Sequence, residues 1–208
     1  MIENTASAFQ AAIAGHYGIE TDLQISADGE AMVHHDDALG RVTEGSGRLA
    51  ELSAQAIQTV RFKATGGHIL TLGELCGLVA GRATLVLELK SRFDGDLRLA
   101  RRAAAVLADY AGPVAVMSFD PALVEAVRAV APGLTRGIVA ERDLMASWRG
   151  RPQFIAYSVK ALPALAPLAA RALFGLPLLT WTVRSADDRQ RAARWADQMI
   201  FEGSGPNG

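Results

Sequence analysis

Residues 18–24 read Gly18-Ile19-Glu20-Thr21-Asp22-Leu23-Gln24. Acids alternate with apolar and β-branched residues, the period-2 pattern of a β-strand. Side chains two apart share a face, so Glu20 and Asp22 point one way and Ile19, Thr21 and Leu23 the other. Residues 84–90, Thr84-Leu85-Val86-Leu87-Glu88-Leu89-Lys90, repeat the arrangement. Leu85, Leu87 and Leu89 form a face suited to packing on helices, while Thr84, Val86, Glu88 and Lys90 form the other. In a closed parallel barrel one strand face is the interior, normally filled by branched apolar side chains. Carboxylates placed there repel each other and lose hydration, and a divalent cation relieves both costs. Glu20 and Asp22 are therefore candidate metal ligands and Glu88 a third, with Lys90 a point charge for an anionic substrate. The competing reading is an edge strand with its acids in water, and a Glu88–Lys90 pair that neutralises itself.

Outward from these two strands, β-rich runs alternate with Ala/Leu/Arg-rich helical runs, as in parallel α/β folds. Seven principal strands are expected, over 18–24, 83–90, 114–119, 135–140, 154–158, 178–183 and 198–201. Residues 31–35 make a side hairpin after the Asp28-Gly29 turn. Helices are expected over 5–14, 71–80, 97–110 and 187–195, and from Pro121 onward, with Asn4 or Thr5 capping the first. The pattern predicts a (β/α) barrel or an open doubly wound sheet. No glycine loop of the G-x-G-x-x-G or Walker type follows any strand, which argues against a nucleotide-binding sheet.

The chain has 208 residues and a formal net charge of −1, and half its residues are hydrophobic. This is the composition of one globular domain over 1–208. Its near-zero charge argues against nucleic acid or an anionic membrane as partner. The single cysteine, Cys76, excludes an internal disulfide and a cysteine metal cluster, and fits a reducing compartment. No basic segment followed by an apolar one opens the sequence, so no signal peptide is expected. The most apolar stretch, 161–181, is interrupted by Pro163, Pro167, Arg171, Gly175 and Pro177, so a membrane span is not expected. A cytoplasmic protein is the expectation.

Other residues carry weaker signals. His34 and His35 lie in a His-His-Asp-Asp run, and spacing does not separate them as candidates for acid–base chemistry. His16 and His68 read as structural or surface residues. Trp181 is either core or an apolar wall beside a ligand. Asp197 and Glu202 flank the last strand. The arginines at 98, 101, 102, 184, 189, 191 and 194 read as a solvated surface.

The order of motifs resembles the glycerophosphodiester phosphodiesterases. That family's pattern runs P-E-N-T, I-E-x-D, D-G, H-D and L-x-R-x-T-x-G-x-G. Here stand Glu3-Asn4-Thr5, Ile19-Glu20-Thr21-Asp22, Asp28-Gly29 and His35-Asp36, followed in register by Leu39, Arg41, Thr43, Gly45 and Gly47. Later landmarks are Thr71-Leu72-Gly73-Glu74-Leu75, Glu88-Leu89-Lys90, Ser118-Phe119-Asp120-Pro121 and Trp181-Thr182-Val183. The resemblance implies a TIM-like (β/α)8 barrel and a divalent metal, Mg2+ or Ca2+, on Glu20, Asp22 and Glu88. It implies His35 as catalytic histidine, Lys90 as catalytic phosphate contact, and Glu3 and Trp181 as substrate-lining residues. The implied reaction hydrolyses a small-molecule glycerophosphodiester to sn-glycerol 3-phosphate and an alcohol, within lipid and glycerol metabolism. In the family two histidines act as acid and base.

The sequence departs from the pattern in three places. The family's His-Arg-Gly segment lies upstream of the E-N-T match, where this sequence has Met1 and Ile2. Ile2 stands for the usual proline, and Phe201-Glu202 for the closing Thr-Asp. A (β/α)8 barrel takes about 250 residues, ~40 more than are present. The sequence therefore predicts a barrel lacking its first strand and most of its last helix, with exposed strand edges prone to association. The alternative function is a non-catalytic barrel remnant that binds metal and a glycerophosphate-like anion.

Overall fold

The computed structural model describes residues 2–141 and 144–203. Strands β1 (Ile19–Ile25) and β2 (Ala31–Val33) form an antiparallel hairpin. Six further strands follow: β3 (Leu85–Leu89), β4 (Val114–Ser118), β5 (Thr135–Ala140), β6 (Phe154–Ser158), β7 (Leu178–Val183) and β8 (Gln198–Phe201). All pair in parallel, giving one sheet in the order β2-β1-β3-β4-β5-β6-β7-β8. The seven expected parallel strands are all present, and 31–35 is the side hairpin, reduced to three residues.

Helices α1 (Ala6–Ala14), α2 (Ala54–Thr59), α3 (Leu72–Val79), α4 (Arg98–Leu107), α5 (Pro121–Val130), α6 (Leu165–Phe174) and α7 (Ala186–Trp195) accompany the strands. Their starts have local causes. Thr5 caps α1 by accepting from the Ala8 amide, and Thr71 with Glu74 forms a reciprocal capping box on α3. Asp120 caps α5, whose first residue is Pro121, where the missing N–H costs nothing. The six-residue α2 escapes sequence reading because only Ile57 of it is buried, so it shows no apolar period.

The core has two layers. Outside the sheet, the fully buried Leu85, Leu87 and Leu89 pack with Leu72, Leu75 and Val79 of α3 and Leu99, Ala103 and Leu107 of α4. Each buried leucine stabilises by roughly 2 kcal/mol relative to exposure. On the inner side, Val86, Met117, Val139, Phe154, Ala156, Leu179 and Trp181 fill the interior. In β5, Gly137 leaves room for the Phe154 ring across the ladder, where a Cβ would come within 2.3 Å of it. The sheet curls into the barrel shape expected from the sequence. Tyr17, before β1, meets Phe201 of β8 edge-on with ring centroids 5.2 Å apart. Among the described residues no backbone ladder joins β1 to β8.

Candidate active site

In the β1–β3 ladder Asp22 stands opposite Glu88, and Glu20 opposite Val86. Alternation along both strands turns these acids to the inner face. Glu20, Asp22 and Glu88 each bring one carboxylate oxygen within 4.8 Å of the others. Asp22 and Glu88 are each only 8% exposed, which excludes an acidic face open to water. Lys90, at the end of the same strand as Glu88, places Nζ 2.6 Å from Glu88 Oε1 and 2.9 Å from Asp22 Oδ1. The Glu88–Lys90 pair thus exists, but one ammonium faces three carboxylates and does not neutralise them.

The electrostatics carry the mark of that imbalance. Loss of hydration, and then repulsion from Asp22 and Glu88, hold the Glu20 carboxyl well above its usual range. Burial raises Glu88 as well, against the pull of Lys90. Burial works against the charge on Lys90, but Asp22 and Glu88 outweigh it and its pKa rises. An all-oxygen donor set with excess negative charge is what a hard divalent cation takes. The residues present fit such an ion.

The segment before α1 reaches into this cluster. Asn4 is buried and adopts a left-handed conformation with φ 57°, which asparagine tolerates better than most residues. Its Nδ2 donates to Asp22 Oδ2 at 3.0 Å, and its Oδ1 accepts from the Thr21 hydroxyl. Asn4 therefore fixes the orientation of one candidate ligand. The sequence offered Asn4 as a possible helix cap and as part of the Glu3-Asn4-Thr5 motif; the cap is Thr5.

The structure separates the two histidines. His34 is 1% exposed, with Nδ1 2.9 Å from the Asp36 carbonyl oxygen, and burial lowers its pKa. His35 is half-exposed, with Nδ1 2.8 Å from Asp36 Oδ1. Arg41 grips Asp36 with Nε at 2.5 Å from Oδ2 and Nη2 at 3.1 Å from Oδ1, and Nη2 also donates to Glu3 Oε1. Burial opposes the Asp36 charge, yet Arg41 and His35 bring its pKa down to about 2. A proton on His35 would favour the charged form of Glu88, an electrostatic link between this loop and the carboxylates. Asp36 and Arg41 are landmarks in the sequence, but nothing in their spacing gave them a role.

Trp181 on β7 forms the far side of the interior. Its ring meets Phe119 edge-on at 5.5 Å, and its buried indole N–H has no partner among the described residues. Phe119, part of the Ser118-Phe119-Asp120-Pro121 landmark but given no role from sequence, is 36% exposed beside it. Arg184, read from sequence as a surface residue, pairs with Glu202 at 2.8 Å. The charge of Glu202 is felt at Glu20, and that of Glu3 at Arg184. Asp197, by contrast, pairs with Arg171 and binds the Leu178 amide, away from these groups. His68 lies 3.7 Å from Glu74. A groove of about 570 Å³ between α4 and α5 is lined by none of the candidate residues.

Comparison with known proteins gives one consistent result. The sequence profile of the glycerophosphoryl diester phosphodiesterase family matches residues 1–203. The glycerophosphodiester phosphodiesterase of Caldanaerobacter subterraneus subsp. tengcongensis is 28% identical over 204 residues, covering 91% of this chain and 83% of that protein. Among solved structures, an Oleispira antarctica phosphodiesterase in complex with the product sn-glycerol-3-phosphate superposes with a TM-score of 0.85 at 19% identity, over 95% of this chain and 86% of that one. A glycerophosphodiester phosphodiesterase from Thermotoga maritima gives 0.78 at 22% identity, over 97% and 88%. At these identities the structures speak for the fold.

Proposed function

Since the chain belongs to the glycerophosphoryl diester phosphodiesterase family of phosphoric diester hydrolases, we propose that it hydrolyses glycerophosphodiesters to sn-glycerol 3-phosphate and an alcohol with the residues gathered around Lys90. The observation that carries this reading is the convergence of Glu20, Asp22 and Glu88 within 4.8 Å of one another. Held by these three carboxylates, Mg2+ or Ca2+ would polarise the phosphoryl oxygens. Lys90, poised between Asp22 and Glu88, turns its ammonium to the phosphate and stabilises charge that grows in the transition state. His35 protonates the departing alkoxide through Nε2, the ring nitrogen that Asp36 leaves free. Trp181 supplies an apolar wall with one unspent N–H, and Glu3 closes the rim beside Arg41. No described helix is long and apolar enough to cross a membrane, and the lone, part-buried Cys76 accords with a cytoplasmic setting.

One observation favours a second reading, a non-catalytic barrel that binds the cation and a glycerophosphate-like anion. Among the described residues His35 is the only histidine linked to these groups and open to solvent, whereas acid–base hydrolysis in this family uses two. Release of glycerol 3-phosphate from glycerophosphocholine or glycerophosphoethanolamine with added Mg2+ or Ca2+ decides between them. Turnover that disappears in Glu20→Ala and His35→Ala supports hydrolysis at this site. Calorimetric binding of the cation and glycerol 3-phosphate with no turnover supports the second reading. Unchanged turnover in both variants sinks the site.

A further inference from the structure

His35 is half-exposed on a loop, yet its ring is held. Its Nδ1 lies 2.8 Å from Asp36 Oδ1. A carboxylate on the adjacent loop residue is by itself a loose restraint, because both side chains can swing into water. Arg41 removes that freedom. Its planar guanidinium takes both Asp36 oxygens, through Nε at 2.5 Å and Nη2 at 3.1 Å, the fork geometry that suits a carboxylate. The same Nη2 also donates to Glu3. Glu3 precedes α1 and Asp36 follows β2, so one guanidinium ties together two segments far apart in sequence.

We infer that Arg41 is a positioning residue for His35, acting through Asp36 and anchored on Glu3. This rests on the reading of His35 as the acid that protonates the leaving alcohol. The chemistry follows from donor and acceptor counts. Asp36, ionised and gripped by Arg41, can only accept. The hydrogen between it and His35 must then sit on Nδ1. Nε2 is left as the nitrogen that takes up and gives out the proton. A neutral histidine side chain free in water prefers the opposite tautomer, with its hydrogen on Nε2, so the arrangement imposes a choice that the side chain would not make alone. The neighbouring His34 cannot substitute, since it is buried with its own Nδ1 committed to a backbone oxygen.

Two readouts on the full chain test the inference. The first is nitrogen NMR of labelled histidine, without substrate and above the pH where imidazole titrates. Wild type is expected to carry the His35 hydrogen on Nδ1. Arg41→Met and Asp36→Ala should move it toward Nε2, with Arg41→Lys intermediate because an ammonium cannot fork. The second is turnover of two glycerol phosphodiesters with different leaving groups. Arg41→Met should lower kcat for an ethanolamine leaving group by about tenfold or more, with KM within about twofold. The loss should shrink to about threefold or less for a p-nitrophenol leaving group, which departs without a proton. A purely structural role would depress both substrates alike. Asp36→Ala keeps the test open if Arg41→Met misfolds. Retention of the wild-type tautomer in both variants, or equal losses on both substrates, overturns the inference. If wild type hydrolyses neither diester, the functional reading fails, and the ring-nitrogen signal alone still decides the role of Arg41.

Discussion

Lys90 Nζ stands 2.6 Å from Glu88 Oε1, so the ammonium occupies a carboxylate oxygen that a metal ion would also seek. Cation and lysine therefore compete for one ligand. Lys90→Met should leave divalent affinity equal to or above wild type by calorimetry, while turnover falls by about 100-fold through loss of a charge on the transition state. A large fall in metal affinity would show instead that Lys90 organises the carboxylates.

Asn4 holds Asp22 through Nδ2 at 3.0 Å and is itself held by Thr21. Partners behind a metal ligand typically contribute tenfold to 100-fold in affinity. Asn4→Ala should weaken Mg2+ or Ca2+ binding by about tenfold, with urea unfolding showing the fold retained. Unchanged affinity would leave Asn4 as a joint of the backbone only.

Gly137 tests the packing of the interior. An added methyl would come within 2.3 Å of the Phe154 ring, whose inward position is fixed by the β5–β6 ladder. Gly137→Ala should destabilise by about 1–3 kcal/mol, read as a lower urea midpoint. Gly137→Ala combined with Phe154→Leu should recover part of the loss.

The buried Asp188 supplies a pH dependence. Its bond to Lys160 at 2.7 Å, aided by Ser185 and the Arg184 amide, outweighs desolvation and depresses its pKa from 3.8 to about 2. A carboxylate depressed by folding stabilises above its unfolded pKa and loses that contribution as pH falls through the folded value. Asp188→Asn should therefore be less stable than wild type at neutral pH, by about 1 kcal/mol once screening of the exposed Lys160 is allowed for. The difference should close between pH 3.8 and about 2. A difference that stays constant across this window would assign the effect to packing.

The parallel sheet was legible because its strands are short apolar runs separated by amphipathic helices, and six of the seven strands fall within one residue of their expected ends. The seventh, over 83–90, begins two residues later, at Leu85. Alternation in two strands was enough to put Glu20, Asp22 and Glu88 on inner faces, because side-chain direction there is set by the pleat. The loop partners were not legible. Arg41 to Glu3 spans 38 positions and Asn4 to Asp22 spans 18, and no periodicity links a loop to a distant segment. His34 and His35 show the same limit. Adjacent residues of one type differ here only by which of them the surrounding chain buries.

Glu3 and Asn4, just ahead of Thr5 that caps α1, serve opposite sides of the site, Glu3 toward the histidine loop and Asn4 toward the carboxylates. Helix α1 is nine residues long, too short to persist in water without its packing partners. Detachment of that one helix would release Arg41 and Asp22 together while leaving the ladders from β3 to β8 intact. Heating should then abolish chemistry in a single step, at a temperature below global melting, and amide exchange should find α1 opening ahead of the sheet.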